Sequence, residues 1–274
     1  MSFRQLRRRY MPRALRGKPL RRLQRELSQR IYRHPCRNLL VIGQQKSGST
    51  WLEKMLCDLP GYVRWVPSNI KFGKADLRLC DFDPPPPGYT VTKVHTPPSA
   101  ANVAVVHSLD RPYVVLMRDL RDIAVSWSFY VLNTPGHHRH NDVKGRPVEQ
   151  VIDYFIEHRL DEYAWWQREW QRAADPERGL IVRYEELLKD TCAHFARIVE
   201  HYGVRVSHER VKAIVERHDF ARVTGRRPGE EDAHSFHRKG VAGDWKNYLS
   251  PLQVRAFQEV LDKNGQVIAA AAGD

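Results

Sequence analysis

Residues 38–51 read NLLVIGQQKSGSTW, and this stretch decides the fold class. It opens with a short apolar run that ends in Gly43, which is typical of a strand buried inside a parallel sheet. A polar loop follows, and Thr50 begins a segment whose pattern predicts a helix as far as Leu59. A strand that passes through a short loop into a helix is the basic unit of an α/β fold.

The loop at residues 43–50 has the features of a phosphate-binding site. Backbone N–H groups at the start of the helix turn inward there, and the helix dipole adds positive potential. Lys46 supplies a full charge, and three hydroxyl side chains supply further donors. Because Lys46 precedes Gly48, the loop is not the GxxxxGK[ST] pattern of P-loop nucleotide kinases, which bind magnesium through the Ser or Thr after the Lys. An ordinary strand–helix turn with Ser and Thr caps is the structural alternative.

The rest of the chain continues the alternation of strands and helices. Further strands are predicted at residues 91–94, 113–117 and 179–183, and helices at 123–132, 148–173, 192–202, 207–218 and 250–265. Residues 133–147 are predicted to form a long mobile loop. These segments predict a single P-loop-like α/β domain with a central parallel β-sheet flanked by helices. The predicted bounds are a basic N-terminal extension at 1–33, the domain at 34–268 and a C-terminal tail at 269–274.

The positive charge of the chain is concentrated at its N-terminus. Residues 1–30 carry ten Arg and Lys18 against Glu26, a net charge of +10 out of +13, which leaves +3 for the rest. Because the positive and negative charges of residues 31–274 nearly cancel, we do not expect this part of the chain to form a groove that binds nucleic acid. The extension is interpreted either as an arm that contacts an anionic membrane or an acidic partner, or as a solvated segment that packs one short helix on the body.

The amino-acid composition bears on the cellular location of the protein. The four cysteines have no CxxC spacing, which favours free thiols in a reducing compartment over disulfides or zinc. No apolar run is long enough to span a bilayer, and no apolar segment follows the N-terminal charges as in a secretory signal. We therefore expect a cytoplasmic protein, with peripheral membrane contact through the extension left open.

Two more segments concentrate groups that bind anions. In the run VVLMRDLRDIAVSWSFY, Arg118 ends a predicted strand and Ser126 lies eight residues later on the next helix. A salt bridge from Arg118 to a neighbouring Asp is the alternative. Near the C-terminus, residues 238–247 read RKGVAGDWKN, with glycines that allow close approach of backbone to an anion. A solvated charged turn is the alternative there.

Together these motifs resemble the cytosolic sulfotransferase family over about residues 38–265. Residues 45–51 resemble its PKSGTTW-type 5′-phosphosulfate loop, with Gln45 in place of Pro and Ser49 in place of Thr. The other two motifs resemble its 3′-phosphate motif and its RKGxxGDWKN signature. The resemblance implies PAPS (3′-phosphoadenosine 5′-phosphosulfate) as donor and no metal. The implied donor-binding residues are Lys46, Ser47, Gly48, Ser49, Thr50, Trp51, Arg118, Ser126, Tyr184, Phe220, Arg238, Lys239 and Gly240.

Sulfuryl transfer requires a base for the acceptor proton and positive charge at the leaving group. Residues 92–97 read TKVHTP and resemble the family's KTHLP stretch. His95 is the expected base, since an unperturbed imidazole has a pKa of about 6.5. Lys93 lies on the same strand face and is expected to contact the sulfuryl oxygens. Lys46 is expected to act on the leaving group.

The acceptor is left open as a small molecule, lipid or sugar with a hydroxyl or amine. Five aromatic residues are candidates for its pocket: Trp65, Phe72, Trp127, Phe129 and Tyr130. His137, His138 and His140 are interpreted as loop residues rather than a metal site, because the loop lacks a fourth ligand and a rigid frame; a part in an acceptor gate is left open. The oligomeric state stays open. A nucleotide-dependent kinase and a non-catalytic protein that binds PAP or another anion are the rival functions.

Overall fold

The computed structural model describes residues 31–68, 70, 76–83 and 88–264. Five strands form one parallel sheet in the order β2-β3-β1-β4-β5, which confirms the expected fold class. The strands are β1 Asn38–Gly43, β2 Tyr62–Arg64, β3 Tyr89–Val94, β4 Tyr113–Met117 and β5 Gly179–Arg183.

Helices connect the strands along the chain. They are α1 Ser49–Leu56, α2 Ala100–Ser108, α3 Leu120–Leu132, α4 His140–Val143, α5 Val148–His158, α6 Leu160–Ala173, α7 Tyr184–Lys189, α8 Thr191–His201, α9 His208–Arg217, α10 Phe220–Thr224 and α11 Pro251–Lys263. A 3₁₀ helix lies at Leu79–Asp81 and another at Asp244–Asn247. No helix in the described ranges is both long and apolar enough to cross a bilayer.

The central strand β1 is buried along its whole length and faces two separate cores. Leu39 and Val41 point to one side, where helices α1, α8 and α9 cover the sheet. Leu40 and Ile42 point to the other side, against α2 and α6. Because alternate residues of a strand face opposite ways, a strand covered on both faces must be apolar throughout. Burial of β1 on both faces therefore explains the uninterrupted apolar run in the sequence.

The single helix predicted at residues 148–173 is wrong, because the chain breaks between α5 and α6. The break falls at Arg159, whose backbone leaves the helical region at φ −132 and ψ −27. Phe155 and Leu160 are both fully buried in the same cluster. Five residues of continuous helix would point these side chains about 140° apart. The break lets both reach one core.

Other differences concern short segments. Strand β2 and helix α2 were not predicted; β2 has only three residues, and α2 has a weak amphipathic pattern despite its Ser99 cap. The segment 133–147 contains helix α4, and its Val143 is buried in the core. The predictions for the basic extension at 1–30, for Phe72 and for residues 265–274 fall outside the described residues.

The sheet order fixes where a site can form. Strands β3, β1 and β4 lie side by side, and their carboxyl ends are followed by His95, by the loop after Gly43 and by Arg118. After β1 the chain forms β2 and β3 on one flank of β1, and it then crosses to the opposite flank, where β4 pairs with β1. Such a switch point leaves a crevice at the carboxyl ends, which is where open α/β sheets bind ligands.

Candidate active site

A cavity of about 1080 Å³ opens at this edge of the sheet. Fourteen of the fifteen predicted site residues line it: Lys46, Gly48, Ser49, Thr50, Trp51, Lys93, His95, Arg118, Ser126, Tyr184, Phe220, Arg238, Lys239 and Gly240. The exception is Ser47. Segments separated by almost two hundred residues of sequence therefore meet in one place.

Ser47 shapes the loop instead of lining the cavity. Its side chain is fully buried, and its hydroxyl donates to the carbonyl of Gln44 at 2.6 Å. Its backbone N–H donates to the same carbonyl at 3.2 Å. Both donors of Ser47 are used inside the loop, so the predicted contact of Ser47 with the donor molecule has no support in the geometry.

The loop turns through a left-handed conformation. Gly48 has φ 84 and caps the start of α1. A Cβ atom at Gly48 would lie 2.6 Å from the ring of Tyr184, the first residue of α7. Only glycine allows both the backbone angle and this close approach. Lys46 also has a positive φ of 68, which is uncommon for a residue with a side chain.

Arg118 joins the three motifs. Its guanidinium donates to the carbonyl of Lys46 at 3.2 Å and to that of Val241 at 3.3 Å, and it stacks over the ring of Tyr184 at 4.3 Å. The ion pair with Asp122, given above as the alternative to phosphate binding, is present at 3.7 Å. The buried Nε–H of Arg118 has no partner among the described residues. A buried donor without a partner is costly, so an anion beside this side chain would be favourable.

The cations of the RKG motif are held by carboxylates. Arg238 pairs with Glu231 at 2.5 Å and with the buried Asp244, and Lys239 reaches Asp244 at 2.6 Å. Burial alone would raise the pKa of Asp244, but these hydrogen bonds outweigh it and lower the pKa. The ring of Phe220 packs directly on Gly240, which has φ 69. This loop is therefore fixed before any ligand binds.

Lys46 is the most perturbed cation of the site. Burial, together with the positive charges of Arg118, Arg238 and Lys93, lowers the pKa of Lys46 to about 7. Its Nζ lies over the rings of two residues, 4.4 Å from the centroid of Tyr130 and 4.8 Å from that of Phe236. Strong perturbation of a cleft residue is typical of functional sites.

His95 is held in one orientation at the end of β3. Its Nδ1 forms a hydrogen bond with the carbonyl of Gly43, which makes Nδ1 the protonated ring nitrogen and Nε2 the basic one. The neighbouring Thr96 carbonyl accepts from the indoles of Trp166 at 2.8 Å and Trp170 at 3.2 Å. Helix α6 thus anchors the backbone beside the imidazole.

Lys93 occupies the same wall. Its Nζ donates to the hydroxyl of Thr50 at 3.0 Å, which connects strand β3 to the start of α1. Burial is the main cause that lowers the pKa of Lys93, partly opposed by the charge of Glu53. Lys93 and His95 both line the cavity, as the strand periodicity predicts.

Trp51 is fixed by a network that the sequence did not reveal. Its indole N–H donates to the carbonyl of His218 at 3.0 Å, and its ring meets Tyr184 edge-on. The imidazole of His218 is bound to Asp58 at 2.9 Å, and Arg217 reaches the same carboxylate at 3.0 Å. These residues are distant in the sequence, so only the folded chain brings them together.

Further residues of the wall were not predicted as site residues. Lys54 and His237 lie 3.4 Å apart, and burial followed by nearby positive charges lowers the pKa of His237. Gln45 and Phe236 also line the cavity. Gln45, Phe236 and His237 lie within two residues of predicted site residues in the sequence. This proximity could have identified them as candidates.

The predicted acceptor residues divide into two groups. Tyr130, His137 and His138 line the cavity. Trp127 is buried in the helical core, and Trp65 packs edge-on against Phe82. Phe129 also lies off the wall, at 4.6 Å from the guanidinium of Arg238. His140 bonds the carbonyl of Val131 at 2.9 Å.

Comparison with known proteins agrees with this geometry. A family model described as the sulfotransferase domain matches residues 85–268. Among curated proteins, sulfotransferase 1E1 from Cavia porcellus is 23% identical over 253 residues, covering 84% of this chain and 82% of that protein. Human sulfotransferase 2A1 is 21% identical, with 82% of this chain and 83% of that protein covered.

Solved structures show the same fold. A mouse sulfotransferase, SULT7A1, complexed with PAP superposes with a TM-score of 0.66 at 20% identity, covering 88% of each chain. Retinol dehydratase in a complex with retinol and PAP superposes with a TM-score of 0.62 at 16% identity, covering 93% of this chain and 88% of that one.

Proposed function

Because the chain belongs to the sulfotransferase domain family, we propose that it transfers the sulfuryl group of PAPS to a hydroxyl or amine of an acceptor, with His95 as general base and Lys46 on the leaving group. The observation that carries this proposal is the meeting of the three motifs in one cavity. Two structural neighbours were crystallised with PAP, the product that PAPS leaves behind, which supports PAPS as the donor.

The residues of the cavity suit a molecule with two phosphate groups at separate positions. The backbone N–H groups at the start of α1, with Lys46 and Thr50, fit a 5′-phosphosulfate. Arg118 has an unpartnered buried N–H and lies next to the RKG loop, which suits a 3′-phosphate. Trp51 and Phe220 line the same cavity and offer aromatic faces for the adenine ring.

The proposed reaction is a single displacement at sulfur. When bound, PAPS supplies the sulfuryl group and an anionic leaving group. Nε2 of His95 takes the acceptor proton while the acceptor oxygen forms its bond to sulfur. The bond from sulfur to the 5′-phosphate oxygen breaks, its electron pair stays on that oxygen, and the ammonium of Lys46 offsets the new charge. Lys93 neutralises the sulfuryl oxygens, and no metal takes part.

Thermal stabilisation by PAP and by ADP tests the donor assignment. We expect PAP to raise the midpoint of unfolding and ADP to have little effect, and we expect Arg118→Ala to reduce the response to PAP. Stabilisation by ADP with none by PAP would support the rival kinase. Radiolabelled sulfate from PAPS should then appear on an acceptor; PAP binding with no transfer to any acceptor would support the non-catalytic alternative.

A further inference from the structure

The segment 225–240, which ends in the RKG motif, has few buried contacts to hold its shape. Between helix α10 and the 3₁₀ helix at Asp244–Asn247 it forms neither helix nor strand, and each of its residues is at least partly exposed. Backbone that buries so little apolar surface has low local stability of its own. Hydrogen bonds must therefore fix where Arg238, Lys239 and Gly240 stand at the cavity.

The end of helix α10 fixes the position from which Arg226 starts. Gly225 follows the helix with φ 76, a left-handed conformation that glycine adopts freely. The hydroxyl of Thr224 donates to the carbonyl of Phe220 at 2.7 Å and accepts the backbone N–H of Arg226 at 3.1 Å. The backbone of Arg226 is thus tied to a helix, although the segment that follows is irregular.

The side chain of Arg226 binds the backbone of the segment 225–240. Its Nη1 donates to the carbonyl of Glu230 at 2.8 Å and to that of Arg238 at 2.6 Å, and its Nη2 donates to the carbonyl of His237 at 2.5 Å. The carboxylate of Glu230 pairs with Arg227 instead. The Arg226 guanidinium therefore connects the outgoing and the returning halves of the segment through their carbonyl groups.

The ring of Phe220 connects Arg226 to the RKG motif a second time. The Cζ atom of Arg226 lies 5.3 Å from the centroid of this ring. On Gly240 the same ring occupies the space that a Cβ atom would need. The guanidinium and the motif therefore both contact one aromatic side chain, which helix α10 holds at its first residue.

Carboxylate partners hold the side-chain ends of Arg238 and Lys239, whereas Arg226 holds the backbone that carries them. We propose that Arg226 is a positioning residue for the 3′-phosphate. By fixing the backbone at residues 237–238, it keeps Arg238, Lys239 and Gly240 directed at that phosphate. Arg226 is not among the residues that line the cavity, so it acts through the RKG motif. The inference rests on the proposed function, which supplies the phosphate.

Binding of two nucleotides to the full chain tests this role. PAP differs from adenosine 5′-monophosphate (AMP) only by the 3′-phosphate, so the ratio of their Kd values, measured by calorimetry, gives the contribution of that phosphate. We expect wild type to bind PAP at least about 100-fold more tightly than AMP, since several charge-assisted hydrogen bonds act on one phosphate. Arg226→Ala should reduce this ratio about tenfold or more, because three carbonyls lose their donor. The Kd for AMP should stay within about threefold, because the groups at the start of α1 are unchanged.

Arg227→Ala is the matched control, because it also removes one arginine from the segment. The Arg227 side chain is 87% exposed and pairs with Glu230 at the surface, so this variant should keep the ratio within about twofold. Arg226→Lys keeps the charge but lacks the planar fork that reaches three carbonyls, so it should reduce the ratio about fivefold or more. This variant also decides the question if Arg226→Ala does not fold.

Three results would overturn the positioning role and leave the donor assignment intact. They are a wild-type ratio in Arg226→Lys, an equal loss of affinity for PAP and AMP in Arg226→Ala, and a loss in Arg227→Ala as large as that in Arg226→Ala. The last result would assign the effect to net charge. A wild-type protein that binds PAP no more tightly than AMP contradicts the proposed function, and this inference with it.

Discussion

A single hydrogen bond decides which nitrogen of His95 is basic. Because Nδ1 is bonded to the carbonyl of Gly43, Nε2 carries the lone pair that can accept a proton. The indoles of Trp166 and Trp170, which donate to the Thr96 carbonyl, hold the backbone next to this imidazole. In the proposed mechanism the role of His95 is chemical, so removing its side chain should leave the nucleotide-binding groups where they are.

His95→Ala is expected to lower the rate of sulfuryl transfer by about 10²- to 10⁴-fold, the usual contribution of a positioned general base. The Kd for PAP should change by less than about threefold, because no phosphate-binding group is lost. Steady-state transfer assays and titration with PAP measure the two effects. His208→Ala, at the exposed start of α9, serves as control. A fully active His95→Ala enzyme would remove His95 from the mechanism.

Lys46 should make PAP binding sensitive to pH. Its pKa of about 7 in the free protein means that Lys46 loses its charge as the pH rises above 7. The phosphates of PAP favour the charged form and raise this pKa, so binding should take up a proton between pH 7 and the raised value. Affinity should therefore fall by up to about tenfold per pH unit across that window.

Calorimetry of PAP binding at pH 8 in buffers of different ionisation enthalpy measures this proton directly. We expect an uptake approaching one proton for the wild-type protein. Lys46→Arg stays charged at all these pH values, so it should show almost no uptake and a flat affinity above pH 7. Equal uptake by both proteins would assign the proton to another group.

The sequence identified the charged residues but not their partners. Lys46 and Arg118 belong to short patterns in which residue type and spacing carry the information. The rings over Lys46 come from α3 and from the loop before Arg238, which no local pattern connects. The lowered pKa of Lys46 follows from this burial, so it could be read only from the folded chain.

Among the elements, the junction of β1 and α1 depends on Gly48. A Cβ atom there would meet the ring of Tyr184, and the backbone angle is unfavourable for other residues. Gly145 has a similar φ of 78 with open space around it. Gly145→Ala should cost about 1 kcal/mol of stability through the backbone alone. Gly48→Ala should cost more and should also weaken PAP binding at least tenfold. Urea unfolding and PAP titration compare the two; equal effects would mean that the contact with Tyr184 is unimportant.

Helices α1 and α9 are joined through Asp58. Burial by itself would raise the pKa of Asp58, but hydrogen bonds from His218 and Arg217 outweigh it and lower the pKa. The stability from this lowered pKa is fully present above the unfolded value of about 3.9 and is lost as the pH falls through the folded value. Asp58→Asn should therefore be less stable than wild type by about 1–3 kcal/mol at pH 6. Urea unfolding should show this difference shrinking below pH 4; a constant difference down to pH 3 would exclude the charge as its cause.

Whether a segment forms a helix or a strand could be predicted where its pattern of apolar and capping residues was strong. The helix predicted at 250–265 is found as α11, with Ser250 as its N-cap and Pro251 at its first position, and the side chain of Gln253 accepts the Ser250 backbone N–H to complete a capping box. The break at Arg159 was not predictable from α5 and α6, because each shows regular helical periodicity. It results from the need to bury Phe155 and Leu160 together, which is a property of the tertiary core.

At the scale of the whole molecule, the parallel sheet explains why distant motifs converge. The loop after β1, His95 after β3 and Arg118 after β4 share one edge because neighbouring parallel strands end at the same side. The alternation of strands and helices in the sequence predicted a parallel sheet, but it did not predict the strand order that places these three segments side by side. The domain bounds at 34–268 stay a prediction, as does the contact of the basic extension with a membrane or an acidic partner.

A crystal structure of the protein with PAP bound would show directly whether all three motifs hold one adenosine bisphosphate. We predict its 5′-phosphate within hydrogen-bond distance of Lys46 and the backbone N–H groups at the start of α1. Its 3′-phosphate should contact the guanidinium of Arg118 and the loop that begins at Arg238, with the adenine beside Trp51. PAP bound in another cavity, or with either phosphate away from these groups, would mean that the three motifs do not form one nucleotide site.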